Sequence, residues 1–367
     1  MDIPVSIIGT GHCGCAFAAD LLRRGGRVLL YSHPDHARNM HAIHEAGGLQ
    51  ATMKIEGVFK PTLSIDLEEA LQFARYLIIA VPAYAHDDVI KQLARFDLRH
   101  HVIICVTGNF FSLAARRALR AKALLETSSS PYASRVENSQ VRVLGIKSKM
   151  PIASLGSASN VQLRMDVAQL FSMPLEWLGN VLEIGLSCIT GVIHPTPAVL
   201  NMGWIESTKG DFYFYRQGMS ESVVTVMERV DHERLQVARA FGLNLPSTLD
   251  VMNDFYGRNH ADLAEFATHS VEHNLSKVAP ASLEHRFVSQ DVPYVLVPWY
   301  ELGHKVEIEC GTMRAIIHLA SLANGIDYLQ SGRTLRKLGL HLLEKEDILE
   351  LVGAPHPLPE HAHIPAT

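Results

Sequence analysis

The chain has 367 residues, of which 47% are hydrophobic and 19% charged, and its formal net charge is −5. This length predicts two domains, and the acidic balance argues against a nucleic-acid binder, which normally presents a basic face. No apolar run approaches the roughly 20 residues of a membrane-spanning helix. The five cysteines form no CxxC pair, and no basic leader precedes the first predicted strand. We therefore expect a reducing, cytoplasmic location and no membrane partner.

The N-terminal half alternates short apolar runs with amphipathic segments. A helix is predicted from CGCAFAADLLRRG, ending at Gly25. Strands are predicted at VSIIG (5–9), RVLLYS (27–32), YLIIAVP (76–82) and HVIICVTG (101–108), and KALLETSSSPY and VRVLGIKS continue the series. Continuous hydrophobic strands separated by helices indicate a parallel sheet that is covered on both faces. We predict an α/β domain over 1–183, a Rossmann-type doubly wound parallel sheet.

The C-terminal half has long helical patterns and few strand signals. SESVVTVMERVDHERLQVARAFGL and CGTMRAIIHLASLANGI carry apolar residues three and four positions apart, and they end at Gly242 and Gly325. These spacings and glycine stops are typical of helices. We predict an all-helical domain over 184–352. Residues 353–367 are rich in proline and histidine without periodicity, which predicts a loose tail.

A glycine motif lies between the first predicted strand and helix, as Gly9-x-Gly11-x-x-Gly14. In this context the first glycine permits a tight turn, and the second lets the backbone approach a pyrophosphate. The third lets helix and strand pack closely. The motif predicts a dinucleotide site. A glycine turn that binds no ligand is the alternative.

The end of the second predicted strand bears on which dinucleotide binds. NAD-binding folds carry an acidic residue there, about 20 residues after the motif, whereas this chain has Ser32 and His33, with Arg38 nearby. Asp35 follows a proline and comes too late. Neutral and basic side chains suit a 2′-phosphate, so we favour NADP(H), with NAD(H) as the alternative. It also remains open that these side chains only cover a solvated loop.

His194 lies in an otherwise apolar run, ITGVIHPTPAVLN (189–201), just after the predicted domain junction. A substrate cleft is expected at such a junction. Histidine is the usual proton donor in the reduction of a carbonyl or imine, and a carboxylate partner stabilises its charged form. Asp291 lies at another predicted boundary, in HRFVSQDVPYVLVPWYELG (285–303). The alternative for His194 is a core histidine whose hydrogen bonds are satisfied.

A series of segments resembles the opine dehydrogenases, and most closely the octopine-synthase type. They are ETSSSPYASR (126–135), GVIHPTPAVLN (191–201), FYFYRQG (212–218), ERLQVARAFGL (233–243), HRFVSQDVPYVLVP (285–298) and SGRTLRKLGL (331–340). The resemblance implies a Rossmann domain followed by a helical domain. It also implies reductive condensation of an amino acid with a 2-oxo acid, such as pyruvate or 2-oxoglutarate, to an N-(carboxyalkyl)amino acid. Its catalytic pair would be His194 and Asp291, with Asp291 raising the pKa of the histidine.

Both substrates carry carboxylates and the cofactor carries phosphates, so bidentate arginines are expected nearby. The resemblance assigns Arg286 to the cofactor. Residues near the predicted carboxyl ends of strands should face the ligand crevice. By the strand-end argument, Pro82 is a further cofactor candidate, and Thr127 and Tyr132 are substrate candidates. By the arginine argument, Arg135 and Arg216 are substrate candidates as well.

Other readings of the chain stay open. One is a 2-oxo acid or hydroxyacid reductase of the same plan; those resembling ketopantoate reductase use a junction lysine, which GVIHPTPAVLN lacks. Another is a non-catalytic NADP-sensing protein, which would need neither His194 nor Asp291.

Among the 20 histidines, His269 and His273 are four apart with no third ligand in view, so no metal is expected. Glu206 and Asp211 are available to meet a basic amino acid, and arginine with pyruvate is the default pair. The stereochemistry and the oligomeric state, a homodimer included, are left open. So is whether the opine is an end product or a metallophore intermediate.

Overall fold

The structure is a computed structural model that describes residues 3–156, 160–275, 277 and 279–353. The predicted tail lies, except for Gly353, outside the described residues. The strands are β1 (Val5–Ile8), β2 (Val28–Tyr31), β3 (Leu49–Met53), β4 (Gly57–Phe59), β5 (Thr62–Ser64), β6 (Tyr76–Ile79), β7 (Val102–Cys105), β8 (Ala123–Thr127), β9 (Tyr132–Glu137), β10 (Gln140–Ile146), β11 (Met150–Ser154) and β12 (Leu175–Trp177).

Helices follow the strands in the first half and make up the second half. They are α1 (His12–Arg23), α2 (Arg38–Glu45), α3 (Leu67–Phe73), α4 (His86–Leu93), α5 (Phe111–Ala115), α6 (Val161–Leu170), α7 (Val181–Leu186), α8 (Thr190–Ile193), α9 (Pro195–Leu200), α10 (Met202–Thr208), α11 (Glu221–Ala240), α12 (Thr248–Tyr256), α13 (Leu263–His269), α14 (Val271–Asn274), α15 (Arg286–Ser289), α16 (Val297–Lys305), α17 (Gly311–Asn324), α18 (Tyr328–Ser331) and α19 (Lys345–Gly353). A π-helical turn, Val292–Leu296, joins α15 to α16.

The main sheet has eight strands in the order β12-β11-β8-β7-β6-β1-β2-β5. The six strands from β8 to β5 are parallel to their neighbours. The central strands of the main sheet are buried on both faces. Val5 and Ile7 of β1 point into one hydrophobic core, while Ile8 points into the other. This alternation explains why these strands read as continuous apolar runs. The predicted Rossmann-type sheet is confirmed, with one reversed edge, because β11 pairs with β8 antiparallel.

A second, four-stranded sheet in the order β4-β3-β10-β9 was not predicted. The prediction that VRVLGIKS continues the main sheet is wrong, since β10 pairs antiparallel with β9 and parallel with β3. The alternation along β10 accounts for the error. Val141 and Val143 are buried and Arg142 between them is exposed, as in a strand with one solvated face.

The second half is helical, as predicted. Helix α11 is 20 residues long and ends before Gly242, which has φ +75°. Helix α17 ends at Gly325, with φ +64°. Both glycines take the left-handed conformation that closes helices most easily without a Cβ atom. Among the described residues, no helix combines the length and the hydropathy needed to cross a membrane.

Candidate active site

The glycine loop joins β1 to α1, and each glycine has its own surroundings. Gly9 has φ +120° and donates its N–H to the Tyr31 carbonyl at 2.9 Å. A Cβ atom on Gly14 would lie 1.9 Å from the Gly9 carbonyl oxygen, whereas one on Gly11 would meet no atom within 4 Å. Gly14 is therefore required for packing inside the protein. Gly11 leaves open space beside the N-terminus of α1, where a phosphate group can approach.

A cleft of about 590 Å³ begins at this loop and reaches the helical domain. From the first half it is lined by residues at the start of α1, after β6 and after β8. From the second half it is lined by residues of α8, α12, α14 and α15. The cleft thus lies at the carboxyl ends of the parallel strands, where open α/β sheets bind their ligands.

His194 and Asp291 meet on the wall of this cleft. The His194 Nδ1 and Asp291 Oδ2 atoms are 2.7 Å apart, and the two residues are 6% and 1% exposed. His194 lies between α8 and α9, and Pro195, which begins α9, suits a first helical position because it lacks an N–H. Asp291 lies directly before the π-helical turn, a feature that recurs at functional sites.

Neighbouring side chains fix the geometry of this pair. The other carboxylate oxygen of Asp291 accepts hydrogen bonds from Thr190 Oγ1 at 3.4 Å and from Gln290 Nε2 at 3.3 Å. The Phe287 ring stacks on the imidazole, with ring centres 3.9 Å apart and planes 17° from parallel. Asp291 therefore keeps its acceptor side towards Nδ1, and the ring plane of His194 is held in place.

The pKa of His194 differs in direction from the sequence-based expectation. Burial of the ring is the largest influence and lowers its pKa, and Asp291 acts against it by hydrogen bonding and by its charge. Arg286 and Arg135 lower it further. The net pKa lies below the usual value. Asp291 does raise the pKa, as predicted, but desolvation outweighs it.

Arg135 and Arg286 line the cleft and form no ion pair within the described residues. The Arg135 Nη1 donates to the neighbouring Ser134 carbonyl at 2.9 Å. Burial lowers the pKa of Arg135, and Arg286 lowers it further. Burial also lowers the pKa of His12 to about 4, with the two arginines adding to the shift. The cleft wall thus holds two guanidinium groups suited to phosphates or carboxylates.

Two predicted substrate residues lie outside the cleft. Thr127 is fully buried, and its hydroxyl accepts from the Thr107 N–H at 3.1 Å and donates to the Ser129 carbonyl at 2.9 Å. Arg216 is exposed, with its guanidinium 3.8 Å from the centre of the Tyr213 ring. Neither side chain lines the cavity. The structure therefore gives no support to a substrate contact by Thr127 or Arg216.

Tyr132 and Pro82 both line the cleft. The Tyr132 hydroxyl is engaged, however, because it donates to Asp20 Oδ2 at 2.9 Å and so ties β9 to α1. Directly after Pro82, the Ala83 N–H donates to Gln290 Oε1 at 3.2 Å. This bond links the loop after β6 to the residue that precedes Asp291.

The three residues predicted to meet a 2′-phosphate follow β2 but do not line the cleft, although Asn39, next to Arg38, does. The Ser32 hydroxyl accepts from Thr10 Oγ1 at 3.2 Å and donates to the His36 carbonyl at 3.1 Å. His33 accepts the Asp35 N–H at Nδ1, at 3.2 Å. Arg38 is exposed at the start of α2.

Sequence reasoning missed several cleft residues, among them Lys147, Glu272 and His273. They come from different elements, and none belongs to a motif. The predicted acidic residues Glu206 and Asp211 do not line the cavity; Asp211 pairs with Lys277 at 2.7 Å instead. Glu272 does line it, and it accepts from Arg258 Nη2 at 2.9 Å. Within the described part of the chain, no cluster of metal-ligating side chains is found.

Each half of the chain matches the model of a known protein family. Residues 4–109 match a family model described as NADP oxidoreductase, coenzyme F420-dependent. Residues 177–324 match the alpha-helical domain of NAD/NADP octopine/nopaline dehydrogenase. A solved structure of octopine dehydrogenase with NADH and L-arginine covers 99% of this chain and 100% of its own, with a TM-score of 0.75 at 18% identity. The overall fold is therefore shared with octopine dehydrogenase.

Two relatives align along nearly their whole length. Vitopine synthase of Allorhizobium ampelinum is 28% identical over 345 residues, covering 92% of this chain and 95% of that protein. An opine dehydrogenase of Arthrobacter sp. (strain 1C) is 31% identical over 348 residues, covering 91% and 94%. Because this similarity runs through both the nucleotide-binding half and the helical half, the chain belongs to the opine dehydrogenase family and is an oxidoreductase.

Proposed function

We propose that the protein is an NADP(H)-dependent opine synthase that condenses the amino group of an amino acid with a 2-oxo acid. The observation that carries the proposal is the contact of 2.7 Å between His194 Nδ1 and Asp291 Oδ2. This pair lines the same cleft as Gly11. A proton donor thus shares one cavity with the loop that suits a dinucleotide.

The loop has the geometry that a dinucleotide requires. The open space at Gly11 and the N-terminus of α1 would hold the pyrophosphate, and Pro82 would border the bound cofactor. The bound cofactor supplies the hydride that reduces the imine carbon. Arg286, at the start of α15, would hold a cofactor phosphate from the helical domain.

His194 would supply the proton as the imine is reduced. With Nδ1 bonded to Asp291, Nε2 is the ring nitrogen left for the substrate. As the ring becomes charged, the adjacent carboxylate stabilises the imidazolium and holds its orientation. Burial keeps the pKa of His194 low in the free protein, so a bound anionic substrate would favour its charged form.

Arg135 is the candidate for a substrate carboxylate. It lies in β9, on the cleft wall, and no carboxylate of the described residues neutralises it. The octopine dehydrogenase structures contain L-arginine in one case and pyruvate in another. We therefore propose arginine and pyruvate as the first pair to test.

The preference for NADP(H) follows from the end of β2. No acidic side chain occupies that position, since Ser32 and His33 follow Tyr31 directly. Asp35 is exposed and lies 3.6 Å from His33 Nδ1. Arg38 has no ion pair among the described residues, and its guanidinium would hold the 2′-phosphate. The family model itself is described for both NAD and NADP.

We place the reaction in the cytoplasm. All five cysteines, at 13, 15, 105, 188 and 310, are free thiols. Four of them are buried, and reduced thiols of this kind suit a reducing compartment.

The experiment is oxidation of NADPH and of NADH by the purified protein, with pyruvate or 2-oxoglutarate against a panel of amino acids. Turnover that requires both an amine and a 2-oxo acid supports the proposal. Turnover with the 2-oxo acid alone would identify a hydroxyacid reductase instead. Tight binding of NADPH without oxidation in any mixture would identify a sensor.

A further inference from the structure

One basic residue of the cleft, Lys147, is not used by the mechanism above. It directly follows β10, and its backbone N–H donates to the Pro131 carbonyl at 3.0 Å. The side chain lines the cleft, with Nζ donating to Ser129 Oγ at 2.6 Å and lying 3.9 Å from the centre of the Phe255 ring. Ser129 also lines the cleft, so the amine stands where substrate can reach it.

The groups around Lys147 provide no counterion. No carboxylate forms an ion pair with it in the described ranges. The titratable groups that face it are Cys13 of α1, Cys188 before α8 and His273 of α14. Burial raises the pKa of both thiols to about 11, so they are neutral at pH 7. Burial also lowers the pKa of His273 to about 4, which leaves the imidazole neutral.

These surroundings make Lys147 different from the cleft arginines. Desolvation lowers the pKa of Lys147 to about 7, against small opposing effects of Cys188 and Cys13. Arginine stays protonated and suits fixed anions, whereas a desolvated lysine can take up and release a proton. The cleft therefore holds permanent cations for carboxylates and, separately, one amine that can exchange protons.

The proposed reaction needs such a group. An amino acid in neutral solution carries an ammonium group, which has no lone pair and cannot attack a carbonyl carbon. His194 is held by Asp291 to deliver a proton in the later reduction step. A second group that accepts the ammonium proton would keep the two proton transfers separate. The Lys147 amine lines the cleft, and its pKa is lowered to about 7, so it can accept that proton near neutral pH.

We propose that Lys147 is the base that activates the amino acid substrate, an inference that rests on the opine synthase function proposed above. The neutral Lys147 amine takes one proton from the substrate ammonium. The freed nitrogen lone pair forms the C–N bond, and the carbonyl oxygen becomes a hydroxyl with a proton shifted from nitrogen. When the C–O bond breaks, the Lys147 ammonium gives its proton to the departing hydroxyl, which leaves as water. The lysine is then neutral again. Reduction at the iminium carbon gives a neutral secondary amine, and the His194 proton goes to its nitrogen, so the opine leaves as an ammonium.

The test uses the full-length protein and the substrate pair that the wild type turns over, so the proposed function is decided first and in the same assay. Lys147→Arg keeps a cation in the cleft but cannot lose a proton, and Lys147→Met removes both properties. Lys149→Met is the matched control. Lys149 is two residues away, where it pairs with Glu176 at 3.2 Å and Asp254 at 2.5 Å and does not line the cleft.

Both Lys147 variants should lose about 100-fold or more in kcat/KM for the amino acid at pH 7, while NADPH affinity is retained. The loss should shrink as the pH approaches the pKa of the substrate amino group, because solvent then supplies neutral amine. The Lys149 variant should match the wild type. Near-normal turnover by Lys147→Arg would show an anion-binding residue and overturn the proposal. A loss of the same size at every pH would show a structural effect and overturn it as well.

Discussion

His194 and Asp291 are 97 residues apart in the chain, and their side chains meet at 2.7 Å in the cleft between the two halves. The histidine comes from the junction of α8 and α9, and the aspartate from the start of the π-helical turn. Gln290 bonds both to Asp291 and to the loop after β6. The pair is thus tied to the nucleotide-binding half as well as to the helical half.

Replacing Asp291 by asparagine should lower kcat by about 100-fold or more, with the affinity for NADPH little changed. Asp291 opposes the effect of burial on His194, so its loss lowers the pKa of that ring further. The alkaline limb of the kcat profile should therefore move to lower pH, since the proton donor loses its proton earlier. Asp211→Asn, in a surface ion pair with Lys277, is the control. Unchanged turnover in Asp291→Asn would rule out the pair as the proton donor.

The two cleft arginines can be tested against a third that lies outside. Arg135→Met and Arg286→Met should each weaken an anionic ligand by about tenfold or more, as expected for loss of a charge-assisted contact. We expect the effect of Arg135 in the KM for the 2-oxo acid and that of Arg286 in the Kd for NADPH. Arg216→Met, at the exposed Tyr213 stack, should leave both constants unchanged. If all three variants change the KM and the Kd to the same extent, the position of Arg135 and Arg286 in the cleft has no bearing on ligand binding.

Two glycines of the loop should respond differently to the same substitution. Gly14→Ala places a Cβ atom 1.9 Å from the Gly9 carbonyl oxygen, so the variant should unfold at a clearly lower temperature. Gly11→Ala meets no protein atom within 4 Å, so it should melt close to the wild type but bind NADPH more weakly. Thermal unfolding with and without cofactor measures both effects. Equal cofactor affinity in Gly11→Ala and the wild type would contradict a pyrophosphate site at this loop.

Arg38→Ala tests the choice of cofactor. Loss of a guanidinium that holds the 2′-phosphate should weaken NADPH binding by about tenfold, while NADH, which lacks that phosphate, serves as the internal control. Fluorescence titration of the same protein with each cofactor gives the comparison. A variant that loses both affinities equally, or neither, would leave Arg38 without a part in cofactor discrimination.

Much of the site could be predicted from local sequence. The glycine motif was recognisable because its neighbours also fit, with a buried strand before it and a helix after it. His194 stood out because an ionisable ring in an apolar run needs a partner or a chemical use. These inferences required only the residues on either side, or the order of a few segments along the chain.

The remaining residues depend on contacts that no local pattern contains. Thr127 is the last residue of β8, and its side chain is buried in the protein interior. Its position near the end of a strand is therefore not enough to predict that it lines the cleft. The second sheet pairs β10 with β3, strands that are far apart in sequence. Lys147 enters the cleft only because that sheet places the end of β10 beside Ser129 and Phe255.

The measurement that tests the central claim most directly is the mass of the product made with NADPH carrying deuterium at its transferable position. The reaction would contain the best amino acid with its 2-oxo acid. The proposed function predicts one product that contains both carbon skeletons, lacks one water and carries one deuterium on the former carbonyl carbon. A deuterated 2-hydroxy acid beside unchanged amino acid would contradict reductive condensation.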